Sequence, residues 1–232
     1  MDKSRKKIES MFDEIAPKYD LLNHMFTLNI DKVWRKNIVS TILKENISSE
    51  KVLDLATGTG DLTIELLNLK SKELIASDIS QKMLDIQSAK LLKYKADNVQ
   101  VLRADALNLP FDNNYFDIVT VGFGIRNFEE LERGLKEINR VLKSGGMLIV
   151  LEMFKSTGLK TKLFNLYFGG VMPFFGNLIS GSKNAYSYLF RSVSGFMSVS
   201  DFVQLAENNN YQKYKSINNM LQLVNTVYLK KK

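Results

Sequence analysis

Residues 51–63 constrain the fold of this chain more than any other segment, and they read Lys-Val-Leu-Asp-Leu-Ala-Thr-Gly-Thr-Gly-Asp-Leu-Thr. The apolar run at 52–55 predicts a buried strand. Gly58 and Gly60 allow the backbone to turn sharply and to approach a ligand closely. A helical pattern begins at Asp61, and the first turn of a helix has free N–H groups. This order predicts a βαβ unit, and the alternation of strands and helices along the chain predicts an α/β, doubly wound sheet.

The residues around this glycine turn indicate what kind of ligand it binds. A dinucleotide fingerprint requires a third glycine, and Thr63 occupies that position, which argues against a nicotinamide or flavin cofactor. Asp54 and Asp61 lie on either side of the glycines, and carboxylates there would repel a pyrophosphate. They suit a cationic ligand without phosphates, and S-adenosylmethionine (SAM) is such a ligand. The D-x-x-x-G-x-G spacing resembles motif I of class I SAM-dependent methyltransferases.

Composition excludes several other chemistries. The chain has no cysteine and one histidine, His24, which rules out thiolate chemistry and makes a zinc site or a Ser-His-Asp triad depend on His24 alone. We therefore expect no metal. None of the three prolines is adjacent to another, so the Pro-Pro motif of nucleobase amino-methyltransferases is absent. The N-terminus lacks an apolar signal core, which predicts a cytoplasmic protein.

The net charge of +7 predicts affinity for an anionic surface, either a membrane or a nucleic acid. Basic residues cluster at both termini, so solvated tails explain the charge equally well. Two amphipathic helical patterns precede the first strand, one at 8–15 and one at 30–42. They predict either a helical cap packed on the domain or a lid over the site.

Three segments resemble the menaquinone/ubiquinone C-methyltransferase family. The first contains Tyr19, Asp20, Asn23 and Trp34, with Thr27 and Asp31 where the family has serine and histidine. The second is Gly-Phe-Gly-Ile-Arg-Asn at 122–127. The third is Arg-Val-Leu-Lys-Ser-Gly-Gly at 140–146, with Ser144 in place of the family's proline. The resemblance covers essentially the whole chain and is weakest at the C-terminus.

This resemblance implies a Rossmann-like doubly wound sheet of seven strands, the last antiparallel. It implies a single domain with an N-terminal helical cap (1–48), a SAM-binding core (49–152), a substrate-binding insertion after strand five (153–199) and a C-terminal helix and strands (200–232). Ser200 is the expected cap of that helix. The implied reaction is SAM-dependent methylation of the quinol ring of demethylmenaquinol. Ubiquinone biosynthesis, another small aromatic or RNA substrate, and a non-catalytic SAM- or quinone-binding assembly protein are the alternatives.

The resemblance also implies site residues. Asp61 and Arg126 are the candidates for accepting the proton through a water and for stabilising the phenolate. Asp61 has a structural alternative at its helix N-terminus, and Arg126 has one as a partner of Glu129 or Glu130. The implied substrate-binding residues are Tyr19, Asn23, Asn127 and Tyr186. The implied cofactor-binding residues are Asp54, Thr57, Gly58, Thr59, Gly60, Asp78, Ile79, Asp105, Ala106 and Gly122.

Two of these acids have their own sequence argument. Asp78 ends the second predicted strand eighteen residues after Gly60, near the spacing at which an acid binds a ribose diol, whereas the helix-capping role suits Ser80 better. Asp105 follows the third strand and matches the family position beside the adenine amino group, with an ordinary loop aspartate as the alternative. Met83 is expected either to flank the adenine or to pack in the core.

Residues 163–182 carry no charge, and their length alone would allow a transmembrane helix. The glycines, Pro173 and two asparagines argue against one. We expect an insertion that lines a hydrophobic substrate tunnel or touches a membrane, with ordinary core helices as the alternative. The expected partners are a polyprenyl demethylquinol and the inner membrane surface, without nucleic acid, and a homodimer stays open.

Overall fold

The computed structural model describes residues 3–27, 29–155, 188, 191–220 and 223–232. The insertion segment 163–182 and Tyr186 lie outside the described residues. The helices are α1 (Arg5–Ile15), α2 (Tyr19–Phe26), α3 (Ile30–Lys44), α4 (Asp61–Leu66), α5 (Gln81–Lys93), α6 (Leu131–Val141) and α7 (Val199–Glu207). The strands are β1 (Lys51–Leu55), β2 (Glu73–Asp78), β3 (Val99–Arg103), β4 (Phe116–Gly122), β5 (Leu142–Met153), β6 (Tyr211–Met220) and β7 (Val224–Lys231).

The seven strands form one sheet in the order β3-β2-β1-β4-β5-β7-β6. Strands β1 to β5 pair in parallel, and β7 runs antiparallel to both of its neighbours. The predicted seven-stranded, doubly wound sheet with an antiparallel last strand is therefore confirmed. The order changes direction between β1 and β4, and in open α/β sheets ligands bind beyond the strand carboxyl ends at such a point.

Successive side chains of a strand point to opposite faces of the sheet. Each face of this sheet is covered by its own apolar cluster. Val52 of β1 belongs to one apolar cluster together with Trp34 of α3. Leu53 and Leu55 point to the other face and belong to a cluster with Ile138 of α6. The strands are therefore nearly continuous apolar runs, as parallel strands buried on both faces require.

The two N-terminal helical patterns are confirmed as α1 and α3. Helix α1 packs beside the sheet's ligand-binding edge: Asp13 accepts a hydrogen bond from Ser80 at the start of α5, and Glu9 pairs with Arg103 at the end of β3. Among the described helices, none is long and apolar enough to cross a membrane.

The predicted cap of the C-terminal helix is wrong by two residues. Ser198 is the N-cap, and its side chain accepts a hydrogen bond from the Asp201 backbone N–H in a capping box. Ser198 has the extended backbone that an N-cap requires, with ψ 165°. Ser200 already lies inside α7 and therefore cannot act as its cap.

Candidate active site

Two residues of the turn between β1 and α4 have backbone φ angles that favour glycine. Gly58 and Gly60 have φ angles of +59° and +86°, in the left-handed region that other residues adopt at a cost. Gly60 is the N-cap of α4. A Cβ atom there would lie 2.5 Å from Cγ of Gln87. The second glycine of the motif is therefore required by packing against α5 as well as by the turn.

Asp54 lies beneath this turn and is fully buried. Its Oδ2 accepts hydrogen bonds from the hydroxyls of Thr57 and Thr63 at 2.8 and 2.6 Å. Its Oδ1 accepts one from Thr120 of β4 at 2.8 Å. Burial raises the pKa of Asp54 above its ordinary value and outweighs these hydrogen bonds. In the structure, Asp54 connects the glycine turn to α4 and β4.

Two adjoining clefts lie at the carboxyl ends of β1, β2 and β4. The larger encloses about 780 Å³ of empty space including its open mouth. It is lined by six of the predicted cofactor-binding residues and two of the predicted substrate-binding residues: Gly58, Asp78, Ile79, Asp105, Ala106, Gly122, Tyr19 and Asn127.

The smaller cleft holds most of the other predicted residues, and Tyr19, Gly58 and Gly122 line both clefts. The predicted residues that line only the smaller cleft are Asp54, Thr57, Thr59 and Asp61. The structure does not place Asn23, Gly60 or Arg126 among the residues that line either cleft. Asn23 instead hydrogen-bonds Tyr19, a residue directly on the shared wall.

Asp78 ends β2 with its carboxylate in the larger cleft. Its Oδ2 accepts a hydrogen bond from the Gly58 N–H at 2.8 Å, and its Oδ1 accepts one from the Ser80 N–H at 2.9 Å. The Ile79 backbone N–H also hydrogen-bonds this carboxylate. A carboxylate has about four acceptor positions in all, so one remains for a ligand hydroxyl. Burial raises the pKa of Asp78 and outweighs these backbone hydrogen bonds.

Helix α1 forms one wall of the larger cleft, through side chains that the sequence did not identify as site residues. Ile8 and Phe12 line the cleft, together with Lys3 just before the helix. Arg5 lies 3.5 Å from the Asp105 carboxylate. The amphipathic period of α1 was a signal for Ile8 and Phe12, but only as buried positions, and Lys3 has no signal in the sequence.

Asp61 is the first residue of α4, and three basic side chains lie close to its carboxylate. Lys90 of α5 lies 2.7 Å from Oδ1. On the other oxygen, Arg35 lies at 3.8 Å and Nε2 of His24 at 3.5 Å. The motif I turn did not predict these partners, because they come from α2, α3 and α5.

Thr27 and Asp31, the two departures from the family's first signature, are hydrogen-bond partners of each other at 2.6 Å. Asp31 is buried and also pairs with Arg35 and with Nδ1 of His24, the latter at 2.9 Å. Burial acts to raise the pKa of Asp31, but hydrogen bonds from Thr27 and Arg35 outweigh it and hold this pKa below its ordinary value.

The side-chain atoms of His24, Asp31 and Asp61 come within 4.8 Å of one another, a spacing at which such groups can share a metal ion. However, Arg35 and Lys90 already supply positive charge to these carboxylates. A divalent cation would be repelled by those two side chains. This charge balance does not favour a metal ion at these residues.

Arg126 follows β4 and is buried against Glu152 near the end of β5, with 2.6 Å between Nη1 and Oε1. The expectation that Arg126 pairs with Glu129 or Glu130 is wrong, because these glutamates contact Arg5 and Arg133 instead. Burial lowers the pKa of Arg126, but the charge and hydrogen bond of Glu152 together with Tyr19 and Tyr188 outweigh it, and the pKa lies above its ordinary value.

Asn127, next to Arg126, accepts a hydrogen bond from the hydroxyl of Tyr188 at 2.8 Å. This contact links the Gly-Phe-Gly-Ile-Arg-Asn segment to Tyr188. Asn127 also lines the larger cleft. Tyr188 and the strand-end loop therefore meet beside the larger cleft.

The chain is also similar to known proteins in sequence and in fold. The model of the ubiE/COQ5 methyltransferase family matches residues 1–224. The chain is 39% identical over 214 residues to the demethylmenaquinone methyltransferase of Chlorobaculum tepidum, covering 91% of this chain and 86% of that one. It is 40% identical over 214 residues to that of Thermotoga maritima, covering 90% of each. A SAM-dependent methyltransferase of Aquifex aeolicus has a similar fold, with a TM-score of 0.59, 19% identity and coverage of 82% and 88%.

Proposed function

Because this chain belongs to the ubiE/COQ5 methyltransferase family, we propose that it uses SAM to methylate the quinol ring of demethylmenaquinol, yielding menaquinol. The relatives named demethylmenaquinone methyltransferase, about two fifths identical over most of the chain, support this substrate. The observation that carries the proposal is the acidic cleft at the strand ends, with Asp78 on its wall in a chain of this family.

The donor set of the larger cleft fits SAM better than a phosphate-bearing nucleotide. Three acidic residues, Asp78, Asp105 and Glu129, line it together with two basic ones, Lys3 and Arg5. We assign the ribose hydroxyls to Asp78, whose carboxylate keeps an acceptor position beyond its three backbone hydrogen bonds, and the adenine to the wall formed by Ile79, Met83 and Ala106. Bound SAM supplies an electrophilic methyl group on a sulfonium. The chain's own contribution is to hold the acceptor ring in line with that methyl, which is worth up to about 7–11 kcal/mol in favourable cases.

The acceptor is a ring carbon, so the quinol has to be electron-rich, ideally as the phenolate. We assign Tyr19 and Asn127, on the cleft wall, to contacts with the ring. Arg126 stabilises the developing phenolate electrostatically from its buried position behind Asn127. Arginine stays charged at any working pH, so it is a poor base and a good partner for an anion. Asp61 receives the proton through a water in this proposal.

The substrate's polyprenyl tail favours partitioning into a membrane. Each buried CH₂ contributes about 0.8 kcal/mol to partitioning, so demethylmenaquinol resides in the bilayer. We propose that the chain is cytoplasmic and binds the inner membrane surface peripherally, helped by its net charge of +7. Flotation with anionic vesicles at low salt should carry the protein upward. Protein that stays at the bottom of the gradient would reject the membrane part of the proposal.

Methyl transfer from labelled SAM to a panel of reduced demethylquinols, with RNA as a negative control, tests the reaction. We expect label in demethylmenaquinol. Label in RNA alone, or in no quinol, would reject the proposal. The same assay tests Arg126 through the double variant Arg126→Gln/Glu152→Gln, which avoids leaving the buried Glu152 unpaired.

We expect the double variant to keep SAM affinity and to lose roughly 100- to 1,000-fold in turnover, as for other preorganised electrostatic donors. Arg133→Gln is the matched control, because that side chain is 57% exposed and pairs with Glu130 on the surface. Glu152→Gln alone separates the two effects, since it retains the arginine. Wild-type turnover in the folded double variant would reduce Arg126 to a structural residue.

A further inference from the structure

The only histidine of the chain has its ring between two carboxylates. Nδ1 of His24 lies 2.9 Å from Asp31, and Nε2 lies 3.5 Å from Asp61. These three residues belong to α2, α3 and α4, so the arrangement depends on the packing of three helices. Neither motif I nor the family segments that define the proposed site assign a role to His24.

Asp31 determines which ring nitrogen of His24 carries the proton. Its pKa is held low by hydrogen bonds from Thr27 and Arg35, which outweigh its burial, so Asp31 is ionised and can only accept. Nδ1 must therefore be the donor in this contact. In the neutral imidazole Nε2 then has a free lone pair, and Nε2 lies 3.5 Å from the Asp61 carboxylate.

The Asp61 carboxylate is contacted by Lys90 at 2.7 Å and by Arg35 at 3.8 Å. Nε2 of His24 lies 3.5 Å from the same carboxylate, close enough to take up a proton that reaches Asp61 from the cleft. The side chains of His24 and Asp61 are 23% and 20% exposed, so the proton can then leave to solvent.

We propose that His24 relays the proton released in methyl transfer from Asp61 to solvent, with Asp31 as the positioning residue that sets its tautomer. This inference rests on the proposed function. The bond from the methyl carbon to the ring carbon forms while its bond to sulfur breaks, and the electron pair stays on sulfur. One proton must leave the acceptor, and it passes through water to Asp61, then to Nε2 and solvent.

The charged groups facing the relay come from every helix packed on it. Asp31 and Arg35 lie on α3 and Asp61 on α4, while Lys90 of α5 contacts both Asp61 and Asp20. Two cations therefore accompany three carboxylates around the ring.

The first test needs no turnover. Because the chain has one histidine, nitrogen-15 NMR of the labelled wild-type protein reports the His24 ring without assignment. We expect the neutral ring to carry its proton on Nδ1, and Asp31→Asn to abolish that preference. Asp85→Asn is the control, since this aspartate makes an exposed hydrogen bond on α5. A wild-type ring protonated on Nε2 would overturn the inference.

The second test uses His24→Gln and His24→Ala in the methyl-transfer assay. We expect turnover to fall roughly 100- to 10,000-fold, the range typical of general acid–base groups, with SAM affinity unchanged. Raising the pH should restore part of the loss, because hydroxide then removes the quinol proton, and added imidazole should do the same for His24→Ala. A purely structural residue would show neither rescue.

Wild-type turnover and an unchanged pH profile in folded His24→Gln would refute the relay. Failure of the proposed function is a different result, namely no methyl transfer to any quinol by the wild-type chain. The tautomer measurement separates the two cases because it reports the Asp31–His24 contact independently of the substrate.

Discussion

Gly60→Ala is expected to destabilise both the fold and the cofactor site. The added Cβ strains the backbone and also clashes with Gln87. Gly60 has φ +86°, and left-handed backbone costs a residue with a Cβ about 1–2 kcal/mol. The new Cβ would also lie 2.5 Å from Cγ of Gln87. Since atoms this close repel strongly, Gln87 has to move.

Movement of Gln87 carries its own cost. The side chain is fully buried, and its Nε2 donates to Thr57 and Thr63 at 3.2 and 2.9 Å. Losing two such hydrogen bonds costs about 0.5–1.5 kcal/mol each. Added to the backbone cost, the free energy of unfolding should fall by about 2–5 kcal/mol. SAM affinity should fall as well, because the same turn lines the site.

Urea unfolding of three variants separates these effects. Gly58→Ala is the matched control, since its φ is +59° but a Cβ there would meet Tyr19 at an ordinary 3.7 Å, and it should lose only about 1–2 kcal/mol. In a Gln87→Ala background the clash is removed, so Gly60→Ala should cost about the same 1–2 kcal/mol. If Gly60→Ala costs no more than Gly58→Ala in the wild-type background, the packing argument is refuted.

Two further variants test individual carboxylates. Asp78→Asn should weaken SAM binding roughly tenfold to a hundredfold, since hydrogen bonds to a charged group are worth about 1.5–3 kcal/mol. Calorimetry with Asp85→Asn as control checks this, and an unchanged affinity in the folded variant removes Asp78 from the site. Asp117, whose pKa is lowered by Lys143 and other hydrogen bonds despite burial, stabilises the fold above its unfolded pKa and loses that effect as pH falls through its folded pKa. Asp117→Asn should therefore lower the free energy of unfolding by about 1.5–3 kcal/mol at pH 7 and by progressively less below about pH 4. If wild type and variant still differ in the free energy of unfolding at low pH, the stabilising role of the ionised Asp117 is contradicted.

The sequence by itself determined the α/β class, the first strand, the two amphipathic helices before it and the glycine turn. These features depend on local patterns: apolar runs define the buried strands, a period of about four residues defines the helices, and two glycines define the turn. The position of Asp78 at the end of β2 follows from the same patterns. Resemblance to the family added the strand count and the antiparallel last strand, both of which the structure confirms.

The partners of the charged side chains could not be predicted in the same way. Arg126 and Glu152 are 26 residues apart and meet because β4 and β5 are neighbours, with Gly122 paired to Leu151. Nothing in the local pattern favoured this glutamate over the nearer Glu129 and Glu130. The error at the α7 cap has a different origin, since two candidate serines lie two residues apart and backbone conformation decides between them.

The surroundings of Asp61 show most clearly what only the tertiary structure decided. Motif I placed this aspartate at the start of α4, but its charge environment comes from Lys90, 29 residues further on, and from α2 and α3. Strands β1 and β2 are adjacent, so the helices that follow them lie side by side and bring Lys90 to Asp61. Side-chain electrostatics thus depend on strand order and helix packing, whereas the local periodicity of a sequence reports only which residues turn inward.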